Sequence, residues 1–173
     1  LTLSSVQISD KDDIQSALLA YSLLSSDAKA QLTEQKVLLD NLLSEIHRKE
    51  NVQNEISTYL LNHSQALGLT VLTVTSFDRS IVESALYAYA YLSDDAKASL
   101  NTQKVLLDNL LVEINRQEAV LQEVSSFKVN HVQSLILTIN TVKTTDKAVV
   151  ETALAAYNLL SSDAKVQLLV EKA

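Results

Sequence analysis

Apolar residues along the chain follow a helical spacing, and the pattern recurs at an interval of 68 residues. In the middle copy the stripe runs through Val82, Ala85, Leu86, Tyr89 and Leu92. Residues at i, i+3, i+4 and i+7 lie on one face of an α-helix. Equivalent stripes begin at Ile14 and Val150, so the sequence predicts three short amphipathic helices of the same kind.

Polar residues bound each of these predicted helices. An aspartate precedes each stripe at a position where it can cap the first turn: Asp10, Asp78 and Asp146. A serine follows each stripe, with one or two aspartates just after it: Ser25, Ser93 and Ser161. A serine hydroxyl can accept a bond from the free N–H groups of a new helix, and aspartates favour its positive end. These segments therefore predict tight corners between helices.

A much longer helix is predicted from Asp27 to Gly68, because no proline or glycine interrupts that range. Its first apolar stripe runs through Leu32, Leu39, Leu42 and Ile46, and its second through Val52, Ile56, Tyr59, His63 and Leu67. Roughly 40 residues at about 1.5 Å per residue would extend about 60 Å, which exceeds one small bundle. We interpret this helix as shared by two modules, continuous across the polar stretch 47–51. The second copy repeats it as far as Leu135.

The connector after the long helix is rich in β-branched and hydroxyl residues, which weaken helix formation. It contains one valine that recurs in each copy, as Val6, Val74 and Val142, and that we expect to pack into the end of a bundle. A short isolated strand is conceivable in this segment.

These patterns predict an all-α fold of tandem three-helix bundles with a period of 68, sharing long continuous helices in an elongated rod. The shared helix is similar to spectrin topology, which is an architectural analogy only. The domains are a partial module over residues 1–49, a complete module over 50–117 and a partial module over 118–173. The incomplete end modules could pair between molecules.

Composition narrows the classes of function. The chain has no cysteine, which excludes disulfides, thiolate metal sites and thiol catalysis. The formal net charge of −7 comes without a clustered basic face, which argues against nucleic-acid binding. No apolar run approaches the ~18 residues of a membrane-spanning helix. We therefore expect no nucleic acid, no membrane insertion and no cofactor.

Residues 142–165, VKTTDKAVVETALAAYNLLSSDAK, resemble the tandem three-helix repeats of large bacterial surface proteins that are cell-wall-anchored, S-layer-associated or adhesin-like. Through its copies the resemblance covers the whole chain. It implies an extracellular stalk, spacer or binding array at the bacterial cell surface, and it implies no catalytic residue.

Few side chains are candidates for a site. Tyr87 and Tyr91 are four residues apart, so they share a helix face that differs from the core stripe. They could form a surface for a protein or glycan partner. They could also pack against the adjoining long helix, and we favour this second interpretation. His63 and His131 are either ligands or pH-sensitive contacts, or else histidines at the core edge, which we favour. No metal-ligand spacing surrounds them.

The two polar residues inside the repeated KVLLDNLL block, Asp40 and Asn41, are best explained as the solvent face of a helix. The preferred function is a non-enzymatic spacer or stalk region of a bacterial surface protein, with neighbouring repeats as its partners. The alternative is a helical binding module that captures a host protein or glycan. No motif supports an enzyme.

Overall fold

The computed structural model describes residues 1–169, which form α-helices, 3₁₀ turns and loops without a β-strand in that range. This confirms the all-α prediction. The first copy contains a 3₁₀ turn at Ile8–Asp10, then α1 Lys11–Ser22, α2 Ser26–Gln31, α3 Thr33–Asn62 and α4 Ser64–Leu67. The second has a turn at Ser76–Asp78, α5 Arg79–Ala90, α6 Asp94–Ser99, α7 Asn101–Asn130 and α8 Val132–Leu135. The third has a turn at Thr144–Asp146, α9 Lys147–Leu159 and α10 Ser162–Gln167.

The long helix is continuous across residues 47–51, as predicted, because α3 runs unbroken from Thr33 to Asn62. The prediction that it extends from Asp27 to Gly68 without interruption is wrong. Leu32 and His63 each leave the helical region, at φ −112° with ψ 23° and 17°. The Leu32 N–H bonds to the Lys29 carbonyl at 3.1 Å, which tightens that turn. The Thr33 hydroxyl also competes for the carbonyls of the preceding turn.

Asp10 and Asp146 occupy the predicted N-cap positions of α1 and α9, but neither side chain makes a cap hydrogen bond. A 3₁₀ turn precedes each of α1, α5 and α9, and its last residue is the aspartate. Asp10 accepts a bond from the Gln7 N–H at 2.8 Å, and Asp78 accepts one from the Thr75 N–H at 2.8 Å. Asp146 accepts from the Lys143 N–H at 2.9 Å. Each aspartate therefore closes the turn behind it.

The serine caps are confirmed. The Ser25 hydroxyl accepts a bond from the Ala28 N–H at 3.4 Å, and its counterparts Ser93 and Ser161 accept from the N–H of Ala96 and Ala164 at 3.4 and 3.2 Å. The connector is a hydroxyl-bonded turn, in which the Thr70 N–H donates to the Thr73 hydroxyl at 3.0 Å.

The chain divides into two compact units. The first comprises Leu1–Leu67 with Ala85–Val105, and the second comprises Gly68–Ser84 with the residues from Leu106 onward. The predicted domain boundaries, at 49/50 and 117/118, lie inside α3 and α7. No helix in the described part of the chain is long and apolar enough to cross a membrane.

Each unit has its own apolar core. In the first, Ile14 of α1 and Val6 of the connector pack against Leu42 and Ile46 of α3, and all four side chains are buried. In the second, Phe127 of α7 packs with Tyr157 of α9 and with Leu168, and Val124, Leu135 and Leu160 lie against them. The predicted stripes thus supply these cores.

Several predicted core residues are exposed instead. Val6 and Val74 are buried as expected, but Val142 is 47% exposed. In the first copy Ala17 is exposed, and Leu24 and Leu32 are each 37% exposed. The stripe is therefore correct as a helix face, but a face is buried only where another helix covers it.

Candidate functional site

Tyr87 and Tyr91 form an exposed aromatic pair on α5 and the residue that follows it. Their side chains are 67% and 73% exposed, so the predicted packing of both rings against the long helix is wrong. The rings contact each other, with centroids 4.8 Å apart at a tilt of 53°. A hydrogen bond with Tyr91 raises the pKa of Tyr87 above its usual value. The pair is an open surface of two phenols in tilted contact, and its role in binding stays a prediction.

A glutamate of each long helix binds the serine corner of the following copy. The Glu55 carboxylate accepts the backbone N–H and the hydroxyl of Ser93, at 2.9 and 2.7 Å. Glu123 accepts the Ser161 N–H at 2.9 Å. These hydrogen bonds hold the pKa of Glu55 and of Glu123 below the usual value, because they favour the ionised carboxylate. The sequence analysis missed this contact, although both glutamates precede their serines by the same number of residues, 38.

An arginine of each long helix bridges two acids. Arg48 pairs with Glu45 of α3 at 2.6 Å and with Asp95 of α6. In the same way, Arg116 pairs with Glu113 at 2.6 Å and with Asp163. Arg116 lowers the pKa of Glu113 to about 2. Arg48 and Arg116 are 49% and 50% exposed, so each bridge contributes little energy by itself. The same contacts recur in both units.

The polar stretch of the long helix also binds the connector. The Lys49 ammonium donates to the Val6 carbonyl at 2.5 Å, and the Gln117 amide donates to the Val74 carbonyl at 2.9 Å. Glu50 pairs with Lys11 at 2.9 Å. The sequence analysis treated this stretch only as polar. Lys49 of the first copy is replaced by Gln117 in the second, and because the residue types differ, their common role as hydrogen-bond donors could not be predicted from the sequence.

The tyrosines of the core stripe are anchored through their hydroxyls. Those of Tyr21, Tyr89 and Tyr157 donate to the carbonyls of Lys29, Lys97 and Lys165 at 3.2, 2.9 and 3.3 Å. The ammonium groups of two of these lysines bind the end of the preceding helix: Lys29 donates to the Ser22 carbonyl at 2.7 Å, and Lys165 to the Asn158 carbonyl at 2.8 Å. The repeated lysine of the DAK motif therefore has a structural role.

The two histidines lie at the core edge. His63 is half-buried, with its ring 4.8 Å from that of Tyr59, and His131 lies 4.9 Å from Phe127 in the same arrangement. This agrees with the favoured interpretation.

Asp40 and Asn41 are exposed, as expected for a solvent face, and Asp40 pairs with Lys36 at 2.6 Å.

An apolar groove of about 240 Å³ in the second unit is lined by Phe127, Leu135, Leu154 and Tyr157, together with the hydroxyls of Ser134 and Thr138. Across residues 1–169, no group of three or more histidines and acids could hold a metal ion, and no polar or charged residue is buried.

Comparison with known proteins gives no relative: no family model, no curated protein and no solved structure matches the chain significantly.

Proposed function

We propose that the chain is a spacer region built from tandem three-helix modules, which holds another part of its parent protein away from a bacterial surface. The observation that carries this proposal is the double use of α3. Its first half packs through Leu42 and Ile46 against Val6 and Ile14 of the first copy. Its second half binds the next copy, where the Tyr59 hydroxyl donates to the Ala85 carbonyl at 3.1 Å.

One continuous helix that serves two copies resists bending between them, because bending would break backbone hydrogen bonds in the middle of the helix. The 30 residues of α3 correspond to about 45 Å of helix at about 1.5 Å per residue. The recurring contacts of Arg48 with Asp95 and of Glu55 with Ser93 hold each copy on the end of that helix. Repeats joined in this way form a nearest-neighbour array, which supports a rod-like shape.

Small-angle X-ray scattering tests the spacer proposal. Variants that carry one or two extra copies of residues 50–117, inserted after residue 117, should increase in maximum dimension by the same increment for each copy. Arrays that grow as compact particles, with a maximum dimension rising roughly as the cube root of mass, would contradict it. The surface location rests on the family resemblance. Antibodies against the chain should therefore label intact cells of the source organism, and labelling only after cell lysis would contradict that location.

A helical binding module is the second candidate, favoured by the exposed pair Tyr87 and Tyr91. Two exposed tyrosine rings in contact offer an aromatic face with polar hydroxyls, of a kind enriched at interfaces. Tyrosine ring NMR signals, followed during titration with an oligosaccharide panel, test this alternative. The matched variant replaces both with leucine, as in Leu19 and Leu23 of the first copy. A ligand that shifts the rings of the natural chain and loses affinity for that variant would favour binding over a spacer.

A further inference from the structure

Two apolar residues of the first copy are exposed although their counterparts in the other two copies are buried. Leu32 is 37% exposed, whereas Leu100 and Leu168 are 1% and 0% exposed. Ala17 is exposed, whereas Ala85 and Ala153 are buried. We name the surface formed by Ala17, Leu24, Ser25 and Leu32 the open face.

The buried counterparts show what covers such a face. In the second unit Leu168 packs with Phe127 and Val124 of α7. The Phe127 ring meets Tyr157 edge-on, with centroids 6.1 Å apart at 69°, and Tyr59 meets Tyr89 in the same way at 6.2 Å and 70°. In both cases the covering element is the second half of a long helix.

The second half of the long helix also makes polar contacts with the copy that it covers. In the covered copies a glutamate four residues before the aromatic ring binds the corner serine, as Glu55 does Ser93. An arginine seven residues before that glutamate pairs with the aspartate that follows the serine, as Arg48 does Asp95. The first copy has the matching serine and aspartate, Ser25 and Asp27, both exposed. Within residues 1–169, the Ser25 hydroxyl binds the Ala28 N–H of its own helix, and no glutamate or aromatic residue takes the place of Glu55 or Tyr59 beside it.

We propose that the open face is a docking site for one kind of partner, an amphipathic helix with arginine, glutamate and an aromatic residue at the spacing of Arg48, Glu55 and Tyr59. Such a helix is a further copy of this repeat's own long-helix second half, of the kind that residues 46–67 form against the second copy. The methyl groups of Ala17, Leu24 and Leu32 receive its aromatic side, and the Ser25 N–H and hydroxyl receive its glutamate. The inference rests on the proposed function, since it names the neighbour to which a module joins.

Titration of the full chain with a synthetic peptide of residues 46–67 tests the site. We expect saturable binding of one peptide per chain. A Glu55→Ala peptide should bind about tenfold more weakly, because it loses charge-assisted hydrogen bonds to the serine corner. In the chain, Ala17→Arg should abolish binding, since it places a long charged side chain on an exposed position of the open face. Leu19→Arg is the matched control, because Leu19 is 65% exposed and points away from Ala17 on the same helix; it should leave binding unchanged.

The free peptide could fail to bind because it stays unfolded, since short isolated helices are marginally stable in water. A fusion of the same helix to the chain tests the site without that problem. Residues 46–68 are placed directly before Leu1, which reproduces the natural step from Gly68 to Leu69 and makes the docking intramolecular. This fusion should melt at a higher temperature than the same fusion carrying Glu55→Ala and Tyr59→Ala in the added segment, and its α1 amides should exchange more slowly.

Equal melting temperatures for the two fusions would overturn the inference, and so would peptide binding that Ala17→Arg leaves unchanged. A higher melting temperature of the fusion with the unmutated added segment supports the inference, whether or not the free peptide binds. Failure here leaves the spacer proposal untouched, because the increment in maximum dimension per inserted copy is measured independently of the open face.

Discussion

Glu55 accepts two hydrogen bonds from Ser93, one from the backbone N–H and one from the hydroxyl, at 2.9 and 2.7 Å. The two residues are 38 positions apart, and the pair joins α3 to the corner before α6. Glu123 repeats the contact with Ser161 in the second unit. A half-buried carboxylate that satisfies a corner N–H orients the following copy on the helix.

The Glu55 contact makes stability depend on pH. The folded-state pKa of Glu55 is lowered, so the stabilisation is fully present above the unfolded value of about 4.3 and is lost as the pH falls through the folded value. Glu55→Gln should therefore lower the free energy of unfolding more at pH 7 than at pH 3, as measured by urea denaturation. Glu34→Gln, at an exposed position of α3, is the control. An equal effect of Glu55→Gln at both pH values would contradict the assigned role.

Burial on α3 separates residues of the same type. Leu42 is 2% exposed in the core of the first unit, whereas Leu61 is 75% exposed on the same helix. Leu42→Ala should reduce the free energy of unfolding by about 2–5 kcal/mol, because it removes buried methyl groups and leaves a cavity. Leu61→Ala should change it by less than about 0.5 kcal/mol. Chemical denaturation of both variants checks this, and similar losses for the two would mean that the core is assigned incorrectly.

The chain contains its own control for the hydroxyl of Tyr59, because Phe127 occupies the equivalent place in the second unit. Tyr59→Phe keeps the ring but removes the 3.1 Å bond to the Ala85 carbonyl. We expect a loss of about 0.5–1.5 kcal/mol in the free energy of unfolding. Phe127→Tyr should offer the corresponding bond to the Ala153 carbonyl and stabilise by a similar amount. Unchanged stability in both variants would mean that the hydroxyl bond has no net effect.

Periodic apolar residues allowed much of this fold to be predicted from the sequence. The stripe that contains Tyr89 and the serine cap at Ser93 depend on local spacing, and both occur as expected. Whether a stripe is buried depends on a helix far away along the chain, which explains why Leu32 and Leu100 differ despite equal positions in their copies. The breaks at Leu32 and His63 lack a proline or glycine signal. At Leu32 the adjacent Thr33 hydroxyl bonds to carbonyls of the preceding turn, which residue type alone does not predict.

The candidate site was less accessible to sequence reasoning. Tyr87 and Tyr91 stand out by composition, but a helix-period argument cannot decide whether a second apolar face is covered. In contacts such as that of Gln117 with the Val74 carbonyl, a side chain binds a backbone atom. Every residue has a backbone carbonyl, so such contacts cannot be predicted from residue types alone.

Continuity of α3 across residues 47–51 can be tested with one residue. Asn51→Pro removes a backbone donor in the helix interior, and its ring clashes with the carbonyl of His47, which should cost about 3 kcal/mol or more in the free energy of unfolding. Asn51→Ala keeps the N–H and favours the helix, so it should be neutral or slightly stabilising. Far-UV circular dichroism and urea denaturation measure both effects. A proline variant as stable as the alanine variant would show that the unbroken helix contributes nothing to holding two copies together, and the spacer would then lack its stiff element.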